Sequence, residues 1–341
     1  GIAYWFNVKQ NTEISFNYNH NRINVYGNYG HNLGYVDMFY GGKRKQSGKL
    51  FDAHSKDTDK RNTVSASLDL NYAIASNHQV GIQTSGNFLF GPGDIHTINH
   101  VYDSYEKNNL LYILHSKSDY YHQTANRYHF NAYYKFELPE DKMLTFDFDY
   151  SLFHGNSRIN QPNVYYSPTN DIDSTLSFRN IGKRNIHLYA LTSNYKQTLG
   201  KGEFSTGIKY SNVKSKNFFT LYDKTDGEGA ANLVLSNDFH YQESILAAYL
   251  MYDFKLANKW KFNIGTRMEY THSHGHLYPL PGNLQEEKRI SKDYVDFFPS
   301  ASITYQIDDN NTLSLSYGKR IDRPVYADLN PIEQPLDGLS S

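Results

Sequence analysis

The chain of 341 residues carries 34 basic and 35 acidic side chains, a net charge of −1, and so offers nucleic acid no broad electrostatic attraction. It has no cysteine, which removes disulfides and thiolate metal sites. Its 31 tyrosines and 20 phenylalanines sit in a sequence of mean hydropathy −0.68, so the aromatic residues are dispersed among polar ones, and no run approaches the roughly 18 to 20 apolar residues of a membrane-spanning helix.

Apolar and polar residues alternate along most of the chain, the mark of strands with one face against lipid or a core and the other against water. Ile2, Tyr4, Phe6 and Val8 alternate first and suggest the remnant of a strand. Alternation resumes at Ile14 and at Ile23, on either side of a turn at residues 20–22. Val64, Ala66, Leu68, Leu70 and Tyr72 form the next apolar face, followed by a weaker strand from Val80. Tyr128, Phe130, Ala132, Tyr134 and Phe136 repeat the pattern. The clearest case places Leu144, Phe146, Phe148, Tyr150 and Leu152 on one face, with Thr145, Asp147, Asp149 and Ser151 on the other. Strands from Ile186, Phe204 and Ile245 follow, then Trp260, Phe262, Ile264, Met268 and Tyr270, and last the strands at Ala301 and Leu313. The expectation is twelve strands of about ten residues, the length a tilted strand needs to cross a bilayer.

The connections alternate in length. Short ones, rich in turn residues, fall at 20–22, 74–78, 139–142, 200–202, 257–259 and 308–311. Long polar ones fall at about 42–61, 91–125, 155–182, 218–238 and 275–292, and read as irregular loops. Compact soluble domains rarely hold so many long loops, whereas outer-membrane barrels pair short periplasmic turns with long extracellular connections. A soluble sandwich, propeller or β-helix is the competing arrangement. Aromatic residues at strand ends, Tyr40, Phe153, Tyr210, Phe254 and Phe297, fit the membrane interface. The fold class expected is therefore all-β, an antiparallel transmembrane β-barrel in the outer membrane. With the short turns inside, both chain ends fall on the outer side, so residues 1–341 read as a partial barrel domain without a plug.

Three stretches resemble the outer-membrane β-barrel proteins of Bacteroidetes that group with TonB-dependent receptors. The first is Ile23-Asn24-Val25-Tyr26-Gly27-Asn28-Tyr29-Gly30. The second is Gly265-Thr266-Arg267-Met268-Glu269-Tyr270-Thr271. The third runs from Phe298-Pro299-Ser300 through Leu313-Ser314-Leu315-Ser316-Tyr317 to Arg323, Pro324, Tyr326, Leu329, Asn330 and Pro331. The resemblance implies a barrel of about 22 strands with an N-terminal plug, energised by TonB, that imports a bound substrate. It also implies outer-membrane lipid, TonB acting through a plug and a surface lipoprotein as partners, with a glycan, peptide or metal chelate as substrate. Pro324 and Pro331 fix φ and remove donors, so the third stretch reads as a rigid exit from a strand, a structural motif.

Chemistry is sparse. His272, His274 and His276 share one side of an extended segment and are weak candidates for a metal site. Asp147 and Asp149 point the same way, as charges on a wet barrel wall do, and nothing separates them into acid and base. Gly91-Pro92-Gly93 reads as a turn, because neither a lysine nor a helix follows it. The aromatic–amide segments at Asp119-Tyr120-Tyr121-His122-Gln123 and Asn163-Val164-Tyr165-Tyr166 suit glycans or peptides. No catalytic residue and no cofactor are expected. The reading is a receptor or transporter barrel; the alternatives are a non-energised structural or adhesive barrel and a soluble all-β carbohydrate-binding protein.

Overall fold

The computed structural model describes residues 2–4, 8–227, 229–257, 259–282 and 286–323. Among them are fourteen strands and no helix. In chain order they are β1 (Ile2–Tyr4), β2 (Val8–His20), β3 (Ile23–Gln46), β4 (Lys49–Ala75), β5 (His78–Phe90), β6 (Gly93–Tyr102) and β7 (Leu110–Leu138). Then come β8 (Lys142–Tyr166), β9 (Ile172–Leu199), β10 (Gly202–Asp223), β11 (Ala231–Leu256), β12 (Trp260–Pro279), β13 (Lys288–Gln306) and β14 (Thr312–Gly318). All belong to one antiparallel sheet in which sequence neighbours pair, the exception being β6, which lies between β4 and β7. The twelve expected strands correspond to β2 to β5 and β7 to β14.

The alternating residues define two faces. Phe146, Leu191, Ile208, Leu250, Ile264 and Leu315 stand on one face at 37% exposure or more. A water-soluble sheet could not present such a band. Their chain neighbours turn the other way and are polar and often covered: Asn131, Ser205, Glu269 and Thr271 are buried. The first face is the lipid face, the second the inner face.

The six short turns occur where expected. Asn21, Glu140, Asp141 and Ala257 take positive φ there, and Gly200 does so without steric cost. Near this rim, aromatic rings stack across strands on the lipid face: Trp260 on Tyr305 at 4.4 Å, Phe254 on Phe262 at 4.9 Å and His78 on Phe136 at 4.3 Å. Rings so placed keep one edge toward water.

The long connections differ from expectation. They are long, but most of their residues continue as paired strands: β7 has 29 residues, β9 has 28 and β4 has 27. Alternation fails there because the outward face meets water instead of lipid and the inner face stays partly polar, while backbone pairing continues regardless of side-chain polarity. Gly91-Pro92 is likewise a break in a continuing lane. β5 stops opposite Asn62, β6 resumes opposite Asp59, and both run the same way along β4. Backbone bonds from Lys60 N–H to Pro92 O at 3.0 Å and from Gly91 N–H to Gln123 O at 3.2 Å carry the sheet across the break. A Cβ on Gly91 would meet the Lys60 carbonyl oxygen, so only glycine fits. The first expected strand also changes: Ile2–Tyr4 folds back on Val8 to Gln10 as a short hairpin, and Phe6 lies outside the described residues.

Among the described residues, β14 pairs only with β13, and β2 only with β1 and β3. Beyond the lipid band the inner faces of the long strands cover one another. Phe51, Val101, Leu114 and Leu221 are buried there beside Asn163 and Asn237, forming a small core at the outer end.

Candidate functional site on the inner wall

On β12, residues two apart share a face, which aligns Arg267, Glu269 and Thr271 along the inner wall. Arg267 Nε donates to Glu269 Oε1 at 2.6 Å, and Arg323 Nη2 donates to Oε2 at 2.7 Å and to Thr271 Oγ1 at 3.3 Å. The carboxylate, 9% exposed, is thus clamped between two guanidinium groups. This joins two of the stretches that carry the family resemblance. The rest of the third, Pro324, Tyr326, Leu329, Asn330 and Pro331, lies outside the described residues.

Neighbouring strands extend the polar wall. Tyr249 donates to Asn194 Oδ1 at 3.0 Å, and Asn194 Nδ2 donates to Thr145 at 3.2 Å. Asn131 Nδ2 donates to Asp149 at 2.9 Å, and His129 lies 3.9 Å from the same carboxylate. Asp149 is therefore held by the Asn131 amide, with an imidazole nearby. Asp147 shares its face of β8.

Between β3 and β9 the inner face forms a half-open cavity of about 650 Å³. Its polar lining comes from Ser65, Ser67, Ser85 and Asn87, its apolar floor from Phe153, Ile186 and Leu188. Arg127 stands over the Phe153 ring at 5.6 Å, and His129 Nδ1 meets Ser151 Oγ at 3.0 Å. A volume of this order, apolar with a few polar groups, suits a small solute. The sequence reading missed Arg127 as a site residue and placed Phe153 at the membrane interface. Its pairing with Arg127 and Ile186 puts it on the inner face. The available signal was the doublet Leu152-Phe153, two consecutive large apolar residues where alternation allows one. Tyr210, Phe254 and Phe297 do face lipid, while Tyr40 lies on the outer extension, paired with Ser55.

The three histidines share one face of β12 but have separate partners. His272 Nδ1 lies 2.8 Å from Asp293, and His276 Nε2 lies 3.1 Å from Glu287 with Arg289 at 3.3 Å. His274 is 6.4 Å from His276, ring to ring. Among the described residues no three metal-ligating side chains are grouped for one ion. The acidic partners, invisible in the local sequence, come from the β13 side. The His276 and Arg289 contacts hold the Glu287 carboxyl below its usual range.

The outer extensions carry the remaining electrostatics. Asp52 is buried and paired with Lys107, whose ammonium lowers its carboxyl below the ordinary value. Burial pushes the His115 imidazole down, helped by His96 and His100. Of the aromatic–amide segments, Tyr121 is exposed at 40%, whereas Asn163 is fully buried and Val164, Tyr165 and Tyr166 are half-buried.

Residues 134–341 match the outer membrane protein beta-barrel family, and the chain belongs to that family. Its place is the outer membrane, and the soluble carbohydrate-binding alternative falls away. No curated protein matches the chain. Two solved structures match it at low identity. The outer membrane protease OmpT from Escherichia coli is 12% identical, with 83% of this chain and 96% of that one covered and a TM-score of 0.33. The ferric citrate transporter FecA in its unliganded form is 11% identical, with 89% of this chain and 42% of that one covered and a TM-score of 0.45.

Proposed function

We propose that this chain forms wall and extracellular extensions of a TonB-dependent receptor barrel of the Bacteroidetes type, which takes up a bound solute without catalysing a reaction. The observation that carries the reading is the inner-wall cavity of about 650 Å³, with Arg127 and a row of serines above an apolar floor. A solute entering between the outer extensions would meet that surface. The resemblance of the stretches around Glu269 and Arg323 supports the same assignment. In this reading the edge of β2 left open past Gln10 and the free edge of β14 pair with further strands of a barrel of about 22, because unpaired backbone groups are costly in lipid. A plug contacts TonB, and a surface lipoprotein assists capture of a glycan, peptide or metal chelate.

The test is retention of the isolated periplasmic domain of TonB by the full-length protein solubilised from outer membranes. Specific retention supports energised uptake. Its absence, with the barrel intact, leaves the non-energised structural or adhesive barrel.

A further inference from the structure

The lipid face carries a charged feature that transport does not use. Just above the apolar band, Lys214 and Lys216 project from β10, their neighbours Val213, Ser215 and Asn217 being buried on the inner face. Lys216 pairs with Asn185, and Lys183, two residues before Asn185 on β9, faces the same way. Lys183 in turn pairs with Asn156 on β8, two residues before Arg158. The four cations form a diagonal stair across three strands, each step about 7 to 8 Å by strand geometry. All four are exposed and form no ion pair among the described residues. The carboxylate of this face beside them, Asp238, is turned to His240 at 3.2 Å.

Directly below the stair the surface is apolar. His187, paired with Lys214, meets the Tyr150 hydroxyl at 3.0 Å, and the Tyr150 and Tyr189 rings stand 5.0 Å apart. Leu191, Ile208, Tyr210 and Phe148 follow toward mid-membrane, exposed at 57%, 58%, 44% and 37%. Unpaired cations above tyrosines, above bare aliphatic surface, match one ligand chemistry: phosphate groups at the surface with acyl chains beneath.

We propose that Lys214, Lys216, Lys183 and Arg158 form a binding site for a phosphorylated anionic lipid of the outer leaflet. The cations take the headgroup phosphates, and the Tyr150–Ile208 surface takes the chains. The site rests on membrane placement alone and stands whether or not the barrel imports a solute.

The experiment is native mass spectrometry of the full-length protein, purified in mild detergent and supplied with phosphorylated lipid A, its dephosphorylated form or glycerophosphate. The wild-type protein retains the phosphorylated lipid and releases the other two. The triple variant Lys183→Gln, Lys214→Gln, Lys216→Gln retains it on the order of a hundredfold less, about fivefold per lysine. Replacing the same three by arginine preserves retention, and both variants keep the heat-modifiable band of a folded barrel on gels. Equal retention of the dephosphorylated lipid, or undiminished retention by the glutamine variant, overturns the proposal. Glycerophosphate held as tightly as the lipid overturns it too, in favour of a soluble-anion site.

Discussion

Arg323 reaches back across 54 residues to hold Glu269 at 2.7 Å, so the strand exit after β14 is tied to the middle of β12 on the inner wall. Arg323→Ala removes a charge-assisted hydrogen bond while Arg267 still pairs with Glu269. It should cost about 1.5 to 3 kcal/mol, measured by denaturant unfolding in detergent. Replacing both Glu269 and Arg323 by leucine should cost less than the sum of the single changes, and additivity would show the two residues to be uncoupled.

Lipid and inner faces make opposite predictions at adjacent residues. Leu191→Arg places a charge in the lipid band and should destabilise the barrel by about 2 to 4 kcal/mol. Thr192→Arg faces the inner wall and should fold with nearly wild-type stability. Reversed outcomes would mean the register is displaced by one residue.

The inner cavity should respond to filling. Ser67→Trp and Ser85→Trp add bulk to the lining, and either should reduce solute passage in single-channel or uptake measurements while leaving the folded band unchanged. Unaltered passage in both would show that solutes take another route.

Acid should loosen the outer extension at β6 and β7. The His115 pKa is depressed on folding, so its contribution is fully present above the unfolded value of 6.5 and is lost as the pH falls through the lower folded value. Amide exchange in β6 should accelerate below that pH, and His115→Phe should remove the effect.

The Asp52–Lys107 pair acts in a lower window. The Asp52 carboxyl is depressed chiefly by its hydrogen bond with Lys107, so its contribution is present above 3.8 and disappears as the pH falls through the folded value. Lys107→Met should expose the connection at residues 103–109 to protease at neutral pH, where the parent chain resists.

The wall was legible because lipid imposes a strict code. Where Leu144 to Leu152 crosses the bilayer, every second residue must be apolar, so strand, face and turn followed from composition alone. Past Phe153 the code lapses: lipid no longer demands an apolar outward face, β8 runs on to Tyr166, and only pairing partners distant in sequence reveal it. The inner site was less legible for a related reason. Arg127, Ser67 and Phe153 come from different strands, and nothing local marks them as neighbours; their adjacency is set by register. The Glu269 partner was hidden the same way, since Arg323 lies 54 residues further along the chain.

At residues 119–122 the pairing of β7 with β8 slips, Asp119 facing Asn160 and His122 facing Arg158. Below the slip odd-numbered residues of β7 point inward, and above it even-numbered ones do. The bulge works as a frameshift in side-chain parity placed just outside the lipid. A single-residue insertion or deletion at the bulge would therefore flip the facing of the outer segment alone and leave that of the wall strand unchanged.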